Sequence, residues 1–244
     1  GPRAAGQDEA MTITLITGAN KGLGRETARQ LIAAGHTVYA GARDEQRGKE
    51  AAAQLGARFV LIDVTDDDSV AAAAAQIQAE AGGLDVLINN AGIPGGRTFP
   101  GDVTVADVQR VYAVNVYGVI RVTHAFLPLL EASAAPVIVN VSSGLGSFGI
   151  TTNPARMEFQ FPTLAYSSAK AAVNMLTSQY AKAFPRLKIN AVDPGYTATD
   201  LNAHRGTQTI EEGAEIIVAM ARIGADGPSA PTGGYFDRHG PIPW

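Results

Sequence analysis

The sequence predicts an α/β protein: one domain built on a doubly wound parallel sheet of about seven strands, with helices on both faces. Three observations carry this. Short β-branched runs alternate with helical stretches along the chain, the order that places a helix after each parallel strand. The runs are apolar on both faces, as strands covered by helices on either side must be. The 244 residues, 46% of them hydrophobic, suffice for one such core and do not demand a second.

In chain order, strands are expected at 12–17, 37–41, 58–62, 85–89, 136–141, 188–192 and 233–236. Helices are expected at 22–34, 45–55, 67–81, 104–130, 164–184 and 210–221. The alanine run 71–75 reads as an exposed helix, because Thr65-x-x-Asp68 ahead of it has capping-box spacing. Residues 1–10 precede a plausible starter, Met11, and lack the apolar core of a signal peptide. They read as a cloning remnant or disordered leader, leaving 11–244 as the domain.

The first strand runs into Gly18-Ala-Asn20-Lys21-Gly22-Leu23-Gly24 and then into a helix. Strand, glycine-rich turn and helix form a Rossmann-type phosphate-binding start, with free N–H groups at the helix N-terminus. The spacing G-x-x-x-G-x-G departs from the G-x-G-x-x-G fingerprint. Gly144-Leu-Gly146-Ser-Phe-Gly149 matches that fingerprint letter for letter, but turn residues Thr151-Thr-Asn153-Pro154 come next. With no helix expected there, 144–149 reads as a flexible loop beside a site.

The stretch with most chemical content is Tyr166-Ser-Ser-Ala-Lys170. Four residues apart on a helix, the two side chains share a face, and an ammonium near a phenol lowers its pKa toward a useful acid/base range. Asn115, inside an apolar helical stretch, is a helix-interior misfit. Its alternative reading is a solvent-facing polar residue.

Together these residues resemble the short-chain dehydrogenase/reductase family in its compact single-domain branch, from Met11 to Trp244. The marks are Thr17-Gly18-x-x-x-Gly22-x-Gly24, Asp63-Val64, Asn89-Asn90-Ala91-Gly92, Asn115, Ser143, Tyr166-x-x-x-Lys170 and Pro194-Gly195. The stretch from 211 to Trp244 looks more specifically like the carbonyl-reductase group. The resemblance implies hydride transfer between a nicotinamide cofactor and a carbonyl or alcohol. Tyr166 becomes the general acid, Lys170 the residue that tunes it and holds the ribose, and Ser143 the partner of the substrate oxygen. Ser142 is the rival serine. Asn115 becomes the residue that distorts its helix and holds a relay water.

Cofactor contacts carried over in the same way are Gly18, Asn20, Lys21, Gly22, Leu23 and Gly24, with Asp63 and Val64 at the adenine and Asn90, Ala91 and Gly92 along the adenosine. Pro194, Gly195 and Thr197 approach the nicotinamide, where Tyr166 and Lys170 meet the ribose. NAD-preferring relatives carry an acid where Ala42 stands. Ala42 cannot act so, while Lys21 and Arg43 can reach a 2′-phosphate, so NADP(H) is expected over NAD(H). Asp44, one residue beyond, should point elsewhere.

Other chemistries fare poorly. Cysteine is absent, excluding disulfides and fitting a reducing, cytoplasmic setting. His36, His124, His204 and His239 have no metal-ligand spacing, and no G-x-S-x-G elbow occurs. A net charge of -4 without a basic block offers no footprint for nucleic acid or anionic membrane, and no run of 18 apolar residues occurs. A small-molecule carbonyl or alcohol partner and a homo-oligomer, dimer or tetramer, are the expected associations. A catalytically silent NADP(H)-sensing protein on the same fold is the alternative reading. Two departures from the family concern the pocket. The spacing from Ser143 to Tyr166 is long, with the extra residues near 150–162, and the lid region 196–210 is short and polar. Phe99, Phe148, Phe159 and Phe161 are candidate pocket walls.

Overall fold

The structure, a computed structural model, describes residues 11–96, 98–199 and 202–244; the expected leader 1–10 lies outside them. Its centre is a sheet in the order β3-β2-β1-β4-β5-β6-β7-β8. The strands are β1 (Ile13–Ile16), β2 (Thr37–Ala42), β3 (Arg58–Leu61), β4 (Val86–Asn89), β5 (Val137–Val141), β6 (Lys188–Val192), β7 (Tyr235–Asp237) and β8 (Gly240–Pro241). The first seven are parallel, and β8 returns antiparallel on β7. The seven expected parallel strands are all present, and β8 is an addition to them. At two residues, β8 is too short to carry a periodic signal.

The helices are α1 (Gly22–Ala33), α2 (Glu45–Leu55), α3 (Asp67–Ala81), α4 (Val105–Tyr112), α5 (Gly118–Glu131), α6 (Phe148–Thr151), α7 (Leu164–Ala183) and α8 (Ile210–Ala221). Strand periodicity sorts them. Leu15, Leu87 and Ile138 point to one face and pack with Ile77 of α3, Val122 and Phe126 of α5 and Ala181 of α7. Their neighbours Ile16, Ile88 and Val139 point to the other, against Leu31 of α1, Ala52 of α2 and Ile217 of α8. Both faces are therefore sealed, and each fully buried Leu or Ile contributes about 1.5–3 kcal/mol.

Three local expectations need correction. Helix α3 is capped by Asp66, which accepts from the Ser69 N–H, and not by Thr65; the Thr65 hydroxyl donates instead to Asp63 at 2.7 Å. The helix expected over 104–130 is interrupted by one π turn, Ala113–Tyr117, centred on Asn115. Lastly, 144–149 is no flexible loop. It forms a 3₁₀ turn, Gly144–Gly146, followed by α6, whose N-cap Ser147 accepts from Ile150. Its glycines serve close packing, since a Cβ on Gly146 would lie 2.6 Å from the Lys170 carbonyl carbon.

The rod Val105–Glu131 is long and apolar enough by composition to span a membrane. Its Val111, Val122, Phe126 and Leu130 are nevertheless fully buried in this fold, as in a core helix.

Candidate active site

The expected cofactor residues outside α7, and Ser143, follow the carboxyl ends of strands β1 to β6. The strand order reverses between β1 and β4, and ligands of open α/β sheets bind in the crevice outside those ends.

After β1 the chain turns through Gly18 (φ 65) and Gly22 (φ 56), a left-handed backbone that favours glycine. The turn is braced from β4. Thr17 Oγ1 accepts from the N–H groups of Asn90 and Ala91, both at 3.0 Å, while Asn90 Nδ2 donates to the Thr17 and Gly18 carbonyls. A Cβ on Gly18 would come to 3.0 Å from Ala91 Cα, and one on Gly24 to 2.5 Å from Asn90 Nδ2. Lys21 stands at the N-cap of α1 without a side-chain cap bond, and the first turn has no acid. The N–H groups of Gly22, Leu23 and Gly24 thus face outward from a positive helix end, a cradle suited to a pyrophosphate.

Ala42 is buried at the end of β2, and Arg43 beyond it is exposed. Asp44 turns away, capping α2 by accepting from Arg47 N–H at 2.9 Å. Asp63 accepts from both the N–H and the hydroxyl of Thr65. These contacts lower its pKa, aided by the Arg43 and Arg121 charges. Val64 is buried against Gly118.

At β5, the two serines separate. Ser142 is buried and donates to Asn174 at 2.6 Å, a structural bond. Ser143 is partly exposed; its Oγ accepts from the Leu145 N–H at 3.2 Å, and its hydroxyl lies near enough to Tyr166 to pull that phenol's pKa down. One turn along α7, Lys170 is buried, donates from Nζ to the Val141 carbonyl at 2.9 Å, and lies 5.6 Å from the Tyr166 ring centroid. Asn115 is 1% exposed rather than solvent-facing. Its amide pairs with the backbone of Ile93, in a π turn of the kind that recurs at functional sites.

The expected lowering of the Tyr166 pKa is not what this geometry produces. Burial, with the Asp193 charge, pushes the phenol up to about 12, and only the Ser143 hydroxyl opposes this. Burial takes the pKa of Lys170, whose ammonium donates to the Val141 carbonyl, down to about 8. Tyr166 is therefore held protonated at neutral pH.

Pro194 and Gly195 (φ 77) turn the chain after β6. The Thr197 hydroxyl points inward and donates to the Pro194 carbonyl at 3.1 Å. Gln208 also donates to that carbonyl, closing the base of the lid. Residues 200 and 201 of the lid lie outside the described ones. The segment around 150–162 lines a cleft of about 290 Å³ with Pro100 and the start of α7. Phe159 and Phe161 belong to its wall, while Phe99 and Phe148 do not line it.

Sequence reasoning missed Asp193, a buried acid beside the site. The signal was present, as an acid at a strand's carboxyl end directly before Pro194-Gly195.

The short chain dehydrogenase family model matches residues 12–210. An (-)-isopiperitenone reductase of Mentha piperita is 33% identical, with 94% of this chain and 97% of the relative covered. A short-chain dehydrogenase of Penicillium roqueforti is 37% identical over 87% of this chain and 89% of its own. Among solved structures, an NADPH-bound carbonyl reductase from chicken fatty liver superposes with a TM-score of 0.83 at 28% identity, covering 96% of this chain and 99% of that one. The chain belongs to the short-chain dehydrogenase/reductase family, and its class is that of an oxidoreductase.

Proposed function

We propose that this protein is an NADP(H)-dependent reductase of small-molecule carbonyl compounds, with Tyr166, Lys170, Ser143 and Asn115 as its site. The observation that carries the reading is the gathering of Ser143, Tyr166 and buried Lys170 at the sheet's carboxyl edge, with Lys170 Nζ 5.6 Å from the Tyr166 ring centroid and bonded to the carbonyl of Val141, two residues before Ser143. A silent sensor would need none of these groups in place.

The glycine cradle and the open α1 N-terminus suit a dinucleotide. Gly18, Asn20, Lys21, Gly22, Leu23 and Gly24 would hold its phosphates, Asp63 and Val64 the adenine, and Asn90, Ala91 and Gly92 the adenosine. Arg43 with Lys21 would take a 2′-phosphate, while Pro194, Gly195 and Thr197 flank the nicotinamide. When bound, the cofactor supplies hydride. Ser143 then orients the carbonyl oxygen, and Tyr166 donates its Oη proton to that oxygen. A phenol held protonated at neutral pH suits reduction better than oxidation. Lys170 holds the ribose and returns the proton, with Asn115 fixing the loop beside it. The absence of cysteine supports a reducing, cytoplasmic setting. Exposed Val105, Tyr117, Ile120 and Met175 on α4, α5, α7 and the π turn support a homo-oligomer.

The test is NADPH and NADH oxidation against a panel of aldehydes, ketones and quinones. Turnover with NADPH that Tyr166→Phe abolishes, while cofactor still binds, is the expected result. Turnover by Tyr166→Phe at the native rate, or no turnover by the native protein, overturns the reading.

A further inference from the structure

The carboxyl group of Asp193 occupies a position the proposed reaction leaves unused. Asp193 follows β6, is 8% exposed, and is anchored by its own N–H to the Phe236 carbonyl at 2.8 Å. Its Oδ1 accepts from the Gly195 N–H at 2.9 Å, and its Oδ2 lies against Gly144. One side chain therefore ties the turn that follows Ser143 to the turn that precedes Thr197. The fit is close, since a Cβ on Gly144 would lie 3.0 Å from Asp193 Oδ2 and 3.1 Å from Glu158 Oε1.

The groups around it come from every neighbouring element. Tyr166 and Lys170 face it from α7, Tyr235 and Asp237 from β7, and Arg156 and Glu158 from the turn before α7. Glu158 is itself paired with Arg156 at 3.2 Å. Burial, Glu158 and Asp237 raise the Asp193 pKa, while the Gly195 N–H stabilises its anion. Lys170 Nζ donates to the Val141 carbonyl at 2.9 Å, and Val141 is paired in register with Val192, the residue before Asp193, so the ammonium stands beside the turn that carries this carboxyl, which raises its pKa.

We propose that Asp193 is a positioning residue, which braces the serine and nicotinamide turns together and sets a carboxylate beside the Lys170 ammonium. This rests on the reading of Tyr166 and Lys170 as the reacting pair. It also accounts for Glu158, which crowds the Asp193 anion and so sets how strongly that charge acts.

The chain has five lysines, so [ε-¹³C]lysine labelling resolves Lys170, assigned by its loss in Lys170→Met. Asp193→Asn keeps the shape and an acceptor for Gly195 while removing the charge. The Lys170 midpoint should fall by on the order of one pH unit, and the alkaline limb of kcat/KM for reduction should move the same way. Glu158→Gln, which leaves β6 untouched, should raise the midpoint by favouring the Asp193 anion. An unmoved Lys170 midpoint in folded Asp193→Asn overturns the proposal. Should that variant not fold, an unmoved or lowered midpoint in Glu158→Gln overturns it instead. If the midpoints move as stated but the native protein reduces no carbonyl compound, the role of Asp193 stands and the reading of the reaction falls.

Discussion

Asn115 pairs with Ile93 through both of that residue's backbone groups: its Oδ1 accepts the Ile93 N–H at 2.8 Å and its Nδ2 donates to the Ile93 carbonyl at 2.9 Å. The π turn makes this possible by swinging one residue of an otherwise regular rod toward the loop after β4. Asn115→Leu leaves both Ile93 groups without their partner and should cost about 1–3 kcal/mol. Asn115→Asp keeps the acceptor alone and should cost less. Thermal melts of the two variants check the order.

Arg43 and Lys21 carry the expected cofactor preference. Asp44 does not oppose them, because its carboxylate caps α2. Losing a charge-assisted phosphate contact costs about 1.5–3 kcal/mol, so Arg43→Ala should weaken NADPH binding at least tenfold and NADH binding little. Titration of both cofactors by fluorescence decides it. Equal losses would remove Arg43 from the 2′-phosphate site.

The two adjacent serines should respond differently to the same change. Ser142→Ala removes the partner of buried Asn174, so stability should drop by about 1–3 kcal/mol with kcat largely kept. Ser143→Ala removes the hydroxyl beside Tyr166 and one long cap bond, from the Leu145 N–H at 3.2 Å, and should lose most of kcat with a smaller drop in melting temperature. Identical effects at both positions would contradict the division of labour.

The segment around 150–162 forms one wall of the cleft, and the cofactor cradle is built on other strands. Replacing 153–161 by a tight turn should therefore change KM across a substrate series. The NADPH dissociation constant should stay within about twofold, well below the tenfold that 1.4 kcal/mol represents. Unchanged kinetics with an altered oligomeric state by sedimentation would assign the segment to subunit contacts.

His36 supplies a pH dependence. Burial first, then the Arg222 charge, lowers its pKa below the ordinary 6.5, and its Nδ1 is 2.8 Å from the Thr14 hydroxyl. The folded state thus takes up this proton less readily than the unfolded chain. Its contribution is complete above pH ~6.5 and is lost as pH falls through the lowered folded value. Melting temperatures between pH 7.5 and 5 should fall more steeply for the native protein than for His36→Gln.

The sequence by itself determined what depends on neighbours along the chain. The order of strands and helices follows from period, the glycine turn after β1 from backbone freedom, and the Tyr166–Lys170 pair from helical spacing. It placed six of the turns that meet at the carboxyl edge, because a parallel sheet brings strand ends together whatever its side chains. Tertiary structure decided what depends on packing across that edge. Which serine faces Tyr166 is set by Asn174 claiming Ser142, and the turn-and-helix course of 144–149 by Gly146 lying on the backbone of Lys170. The phenol's high pKa comes from burial and from Asp193, which stands 27 residues from Tyr166 in sequence. Helical spacing brings the Lys170 ammonium to 5.6 Å from the Tyr166 ring, but where the phenol titrates depends on desolvation and on charges from other elements, which spacing in the chain does not reveal.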